Sequence, residues 1–246
     1  MKRLGGLGWL AVLAAFFAAW ELWVRARGIP DYLLPAPSAV AATLWEERST
    51  LASEGAVTLR EILLGFAASL ATGLAFAGIL HRWETLRRAV YPLLVASQSV
   101  PVVAIAPILL IYLGFGLAPK ILIVALVCFF PVTVNTLDGL RSVDPEYARM
   151  MRTLHATPRR IFWRVEVPYA LPGAFSGARV AASYSAIGAL FAEYAGGSGG
   201  LADSMRNSLD TSLVGAAIAV LVAIALSLFG LVGLVERLTI PWSQER

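Results

Sequence analysis

Six stretches of this chain are each about as long as a helix that crosses a hydrocarbon core, and this spacing constrains the fold more than any motif does. A core roughly 30 Å thick needs about 20 mostly apolar residues at helical rise. Residues 4–24, 56–80, 89–112, 121–137, 170–192 and 211–235 meet or approach that length. In hydrocarbon every backbone N–H and C=O must find a partner inside its own segment, so continuous apolar runs fold as helices and not as open strands. The expected architecture is therefore all-α, one polytopic membrane domain over residues 1–246 with about six spans. Composition supports it: 58% of residues are hydrophobic and 15% charged, with mean hydropathy +0.72, against about a quarter charged in a soluble domain. The evenly spread runs leave no room for a separate soluble domain of ordinary size.

The formal charge of +4 raises the alternative of a nucleic-acid binder, which would gather its Lys and Arg into one basic patch. Here they sort by side of the membrane. A cytoplasmic N-terminus puts Lys2, Arg3, Arg82, Arg87, Arg88, Arg141, Arg149, Arg152, Arg159, Arg160, Arg164, Arg237 and Arg246 inside. It leaves the smaller set Arg25, Arg27, Arg48, Arg60, Lys120 and Arg206 outside, as the positive-inside bias requires. Both termini are expected in the cytoplasm of a multi-pass membrane protein. Lys2 and Arg3 ahead of an apolar run also fit a signal peptide, but no small-residue cleavage pattern follows Ala19, so an uncleaved first span is expected.

The chain lacks an energy source of its own. A P-loop needs Gly-Lys-Ser/Thr, and the only lysines follow Met1 and Pro119. His81 and His155 are the only histidines and Cys128 the only cysteine, too few and too scattered for a metal centre. An ion-coupled carrier acting alone is the alternative, and it would carry ionisable groups deep in its spans. Glu21, Arg60, Glu61, Arg179 and Glu193 instead fall near span ends or within reach of an interface, so no buried acid relay is expected. A membrane-embedded enzyme would need a polar cluster that the spans do not offer. No catalytic residue, cofactor or metal site is assigned to this chain.

The longest and most basic cytoplasmic segment, 138–168, is no passive linker. Asp144, Pro145 and Glu146 supply an N-cap acceptor, a proline at the first helical position and an acid at the positive end of the dipole. Tyr147, Met150, Met151 and Leu154 then recur at i, i+3, i+4 and i+7, one apolar stripe. Thr157 and Pro158 repeat the start signal, Ile161, Phe162 and Val165 form a second apolar patch, and Pro168 is expected to halt the chain. From the residues alone, two short helices joined by a bend could lie on the anionic leaflet or dock a partner.

Leu154-His155-Ala156-Thr157, then Ile161-Phe162, Val165, Val167-Pro168, Leu171-Pro172 and Gly177-Ala178-Arg179 resemble the EAA loop and following span of ABC importer permeases of the nitrate, sulfonate and taurine type. The resemblance runs in order through Leu34-Pro35-Ala36-Pro37-Ser38, Leu64-Gly65-Phe66, Pro101 through Pro107, Gly114-Phe115-Gly116 with Lys120, and Phe129-Phe130-Pro131. It implies coupling helices that seat in ATPase subunits, with ATP and Mg on that partner, an extracytoplasmic solute-binding protein, and a second permease copy. The implied coupling residues are Tyr147, Met150, Met151, Leu154, His155, Ala156, Ile161, Phe162 and Pro168. His155 stands where the family has glycine, and a histidine tolerates a strained bend less readily. Arg149, Met150 and Met151 replace the usual Glu-Ala-Ala.

Pro92, Pro101 and Pro107 interrupt the third span around Ser97, Gln98 and Ser99, so this helix is expected to kink and line a wet path. Ser97, Gln98, Pro101, Pro107 and Glu193 are the expected pathway and gate residues. The glycine-rich turn from Tyr194 to Gly200 is expected to be flexible and to close the fifth span after Glu193. Gly173, Gly177, Ala181, Ser185 and Ala189, and likewise Gly65, Ser69, Gly73 and Ala77, form ridges of small residues every four positions. Such ridges admit close helix approach, and part of the contact between two permease copies is expected on them. Leu93 through Gln98, Glu193-Tyr194, Gly196-Gly197 and Pro241-Trp242 resemble most the branch that imports hydroxymethylpyrimidine-like thiamine precursors, with sulfonate, taurine or nitrate next.

Overall fold

The computed structural model describes residues 4–196 and 199–242. Among these the chain is helical and contains no strand. Four helices are long and apolar enough to cross a membrane, α1 (Leu4–Arg27), α3 (Arg48–Arg82), α6 (Leu117–Arg141) and α11 (Thr211–Thr239). A fifth span is made by α4 (Glu84–Ser97) and α5 (Val102–Leu113) if the bent pair is counted as one. The segment expected as the fifth span is a helix, α9 (Val167–Gly196), 30 residues long, but it is not among the helices apolar enough to be counted as a span. Its Arg179, glycines and serines keep it outside the apolar set. Those small side chains suit a helix that packs on protein.

Contacts divide the chain into two compact units, Met1–Val57 with Gly199–Leu221, and Thr58–Ser198 with Val222–Arg246. In the first, α1 and α2 (Pro37–Glu46) are tied by Glu21, whose Oε2 accepts the Ser38 N–H at 3.0 Å while its Oε1 accepts the Ser38 hydroxyl at 2.7 Å. Val24 and Ala36 are buried beside that joint. Val40 packs so closely on Gly215 of α11 that a Cβ there would lie 2.9 Å from its methyl. The short helix α10 (Leu201–Asn207) starts where Gly199 and Gly200 adopt φ of +82° and +107°. The Gly199 N–H donates to Asp203 at 3.1 Å and the Gly200 N–H to Glu54, so two carboxylates hold this part of the glycine turn. Gly197 and Ser198 lie outside the described residues.

In the second unit α6 is the central helix, and the two small-residue ridges explain why. A Cβ on Gly65 would sit 2.5 Å from Val124, and one on Gly73 2.8 Å from Val132. On α9 a Cβ at Gly173 would meet the Asn135 carbonyl at 2.7 Å and one at Gly177 the Pro131 carbonyl at 2.5 Å. Both ridges therefore lie against α6 of the same chain. This corrects the expectation that they meet a second copy. The reason is steric: α6 presents bulky Val124 and Val132 along one line, and only glycine lets a neighbouring backbone reach them.

Candidate functional site

The expected kink in the third span is a full break. α4 and α5 meet at 99° across Gln98 to Pro101. Pro101 is the N-cap of α5; its ring displaces Val100 from the helical region, and its nitrogen has no hydrogen to continue α4. Pro92 and Pro107 stay inside their helices. The break opens a cavity of about 330 Å³, lined by Ser97, Gln98, Val100, Val102, Ile105, Leu109, Ile123, Leu126, Val127, Tyr184 and Ile187. Ser97 and Gln98 are thus brought together. Pro101, Pro107 and Glu193 are not on its wall.

The elbow is built largely as its sequence signals. The Asp144 side chain accepts the Glu146 N–H at 2.8 Å and so caps α7 (Pro145–Thr153). The Thr157 hydroxyl accepts the Arg160 N–H at 3.4 Å at the start of α8 (Pro158–Ile161). Between them, His155 has φ of +57°. The Ala156 N–H reaches the Met151 carbonyl and the His155 N–H the Arg152 carbonyl, both at 3.0 Å, which is the paired closure of a Schellman helix end. A histidine occupies the left-handed position that favours glycine. On α7, Tyr147, Met150 and Leu154 are exposed, Leu154 to 69%, and Met151 is half-buried. Ala156 is half-buried at the bend.

Two expectations about the second half of the elbow are corrected. Ile161 is only 4% exposed, so it packs within the chain and offers no docking contact; Phe162 is half-buried with its ring centroid 6.1 Å from that of His81. Pro168 does not halt the chain. α8 passes through a π-helical turn, Phe162–Glu166, straight into α9, and Pro168 falls in the first turn of α9. The widened turn accommodates the proline ring, which would otherwise press on the carbonyl four residues back. Pro168 also lines a groove of about 380 Å³ with Tyr147, Arg164, Val165, Tyr169, Pro172 and Trp242.

The absence of buried ionisable groups is overturned. Glu61 of α3, Lys120 of α6 and Glu193 of α9 are 1%, 2% and 0% exposed. Lys120 Nζ lies 2.7 Å from Glu61 Oε1, and the Thr58 hydroxyl donates to Glu193 at 2.6 Å. Lys120 is therefore no topology charge, and Glu193 lies within α9, which runs on to Gly196. Elsewhere Arg179 pairs with Glu236 of α11. The signal was in the sequence. Glu61 precedes Gly65 by four, Glu193 follows Ala189 by four, and Lys120 precedes Val124 by four, so each charge extends a buried row already marked by its neighbours.

Comparison with known proteins places the chain among transport permeases. Residues 68–239 match the model of the binding-protein-dependent transport system inner membrane component family. A formylaminopyrimidine transport permease protein of Halalkalibacterium halodurans is 36% identical, covering 92% of each chain. A riboflavin transport system permease protein of Chloroflexus aurantiacus is 35% identical, over 96% of this chain and 90% of its own. A taurine transport system permease protein of Escherichia coli is 29% identical, over 96% and 90%.

Proposed function

The chain belongs to the binding-protein-dependent transport system inner membrane component family, as an ABC importer permease, and we propose that it passes a neutral pyrimidine-type ring, best a thiamine precursor, into the cytoplasm. The observation that carries this is the cavity at the α4–α5 break. Its polar groups are the Gln98 amide and the hydroxyls of Ser97 and Tyr184, and its described lining holds no basic side chain. An amide donates and accepts along one edge, as a ring nitrogen beside an amino group demands, and Tyr184 supplies a face for stacking. A taurine, sulfonate or nitrate anion would call for a cation or a cluster of donors. A volume of about 330 Å³ also lies at the small end of ligand sites. The solutes named for two of the relatives, formylaminopyrimidine and riboflavin, both carry a pyrimidine-type ring.

The driving subunit is a separate ATPase dimer that holds ATP and Mg and grips the elbow through Tyr147, Met150 and Leu154. These apolar side chains are exposed on a short helix whose caps and closed end make it a stiff lever. An extracytoplasmic binding protein delivers the solute, and a second permease copy completes the path. Six spans with both termini in the cytoplasm put the elbow on the ATPase side. Glu193 acts through the contact of α3, α6 and α9 and does not touch solute.

Co-purification of the complex with its binding protein, followed by mass spectrometry of the extracted ligand, tests the solute. A pyrimidine is expected; taurine, another sulfonate or nitrate would overturn the assignment.

A further inference from the structure

At the end of α3, His81 Nε2 lies 3.0 Å from Glu166 Oε2, each side chain about four-fifths buried. Glu166 is the last residue of the π-helical turn that joins α8 to α9, and Phe162, the first residue of that turn, faces the His81 ring. One histidine thus touches both ends of the widened turn. A π-turn interrupts the regular i to i+4 ladder of a continuous helix and is one of the few places where such a helix bends sharply. Left free, it would flex and absorb any displacement of the elbow.

The same end of α3 carries a second contact. Ala77 and Leu80, fully buried, pack with Leu137 of α6 and against Val90, Tyr91 and Leu94 of α4. Leu94 is one turn from Ser97 and Gln98 on the wall of the cavity. The end of α3 therefore meets the elbow through His81 and α4 through Ala77 and Leu80, and α4 itself leads on to Ser97 and Gln98 at the break with α5.

We propose that His81 and Glu166 are positioning residues that brace the π-turn against the end of α3, so that a displacement of the elbow reaches α4 and the cavity as well as α9. This rests on the reading above that an ATPase grips the elbow. Without the brace, the stroke is lost in the π-turn: ATP is hydrolysed, but less solute crosses per ATP.

The test uses the whole complex of permease, ATPase and binding protein in proteoliposomes, with solute moved per ATP hydrolysed as the readout. Glu166→Gln and His81→Ala should each lower that ratio about tenfold, within the range of coupling changes seen for residues remote from both sites. The exchanged pair, His81→Glu with Glu166→His, should restore it to within about twofold of wild type. A purely structural contact would lower the melting temperature and leave the ratio unchanged, which would overturn the proposal. A second variant guards against misfolding: His81→Cys with Glu166→Cys, bridged by a short bifunctional thiol reagent. The native cysteine, Cys128, is buried and does not compete. Bridged transporters should keep the wild-type ratio, because the two elements move together; loss of uptake on bridging overturns the brace. Leu154→Asp separates the two levels of inference. If it uncouples and the His81 and Glu166 variants do not, the brace alone fails; if it leaves the ratio untouched, the gripped elbow and the brace fail together.

Discussion

The contact of α3, α6 and α9 and the elbow of α7 and α8 use the same kinds of residue in opposite ways. In the three-helix contact, glycines sit where a Cβ would lie 2.5 to 2.9 Å from a neighbour, and even the charged side chains Glu61, Lys120 and Glu193 are buried. In the elbow, apolar side chains stand exposed, the bend is held by a histidine at φ +57°, and order comes from caps. The first arrangement gains stability from closeness. The second keeps an apolar surface open at the expense of local backbone strain, which is expected where a partner supplies the missing contact. The contrast separates residues that hold the permease together from the exposed residues proposed above to take the stroke of an ATPase.

The sharpest way to break the contrast is to remove a charge from the three-helix contact. Lys120→Met leaves Glu61 buried without its 2.7 Å partner, and loss of one member of a buried pair costs about 3–5 kcal/mol. Thermal unfolding in detergent should show it, and adding Glu61→Gln should recover much of the loss. Gly177→Ala comes next. Its Cβ would lie 2.5 Å from the Pro131 carbonyl, so α6 and α9 must part, at about 1–3 kcal/mol for overpacking. His155→Gly is smaller and of opposite sign: it relieves the left-handed strain and should stabilise by about 1 kcal/mol, read as slower proteolysis at the elbow. Leu154→Asp has the smallest effect on stability, within about 0.5 kcal/mol for an exposed site, and yet it should abolish coupled uptake. A large drop in melting temperature for Leu154→Asp would mean the two regions do not differ as described.

Much of this was legible in the chain. Span lengths gave the helical membrane fold, the Asp144 and Thr157 start signals gave the elbow, and the proline run gave the interruption near Gln98. What escaped did so for identifiable reasons. Distance along the sequence placed Glu61, Lys120 and Glu193 near span ends, but helical phase, not depth, decides which neighbour a side chain meets. Pro168 read as a stop because proline usually ends a helix; a π-turn upstream lets the helix run on. Ile161 read as part of an exposed patch, because four residues of α8 are too few to show which face is covered. His81 and Glu166 are 85 residues apart, and nothing local relates them.

The most direct test of the central claim is site-directed cross-linking of the assembled complex from single cysteines on the elbow. Leu154→Cys should join to the ATPase subunit, because that side chain is exposed on the gripped face, whereas Ile161→Cys should not, because it is packed within the permease. Cross-links from position 161 but none from 154, or labelling of Leu154→Cys by a membrane-impermeant reagent from outside the cell, would contradict it.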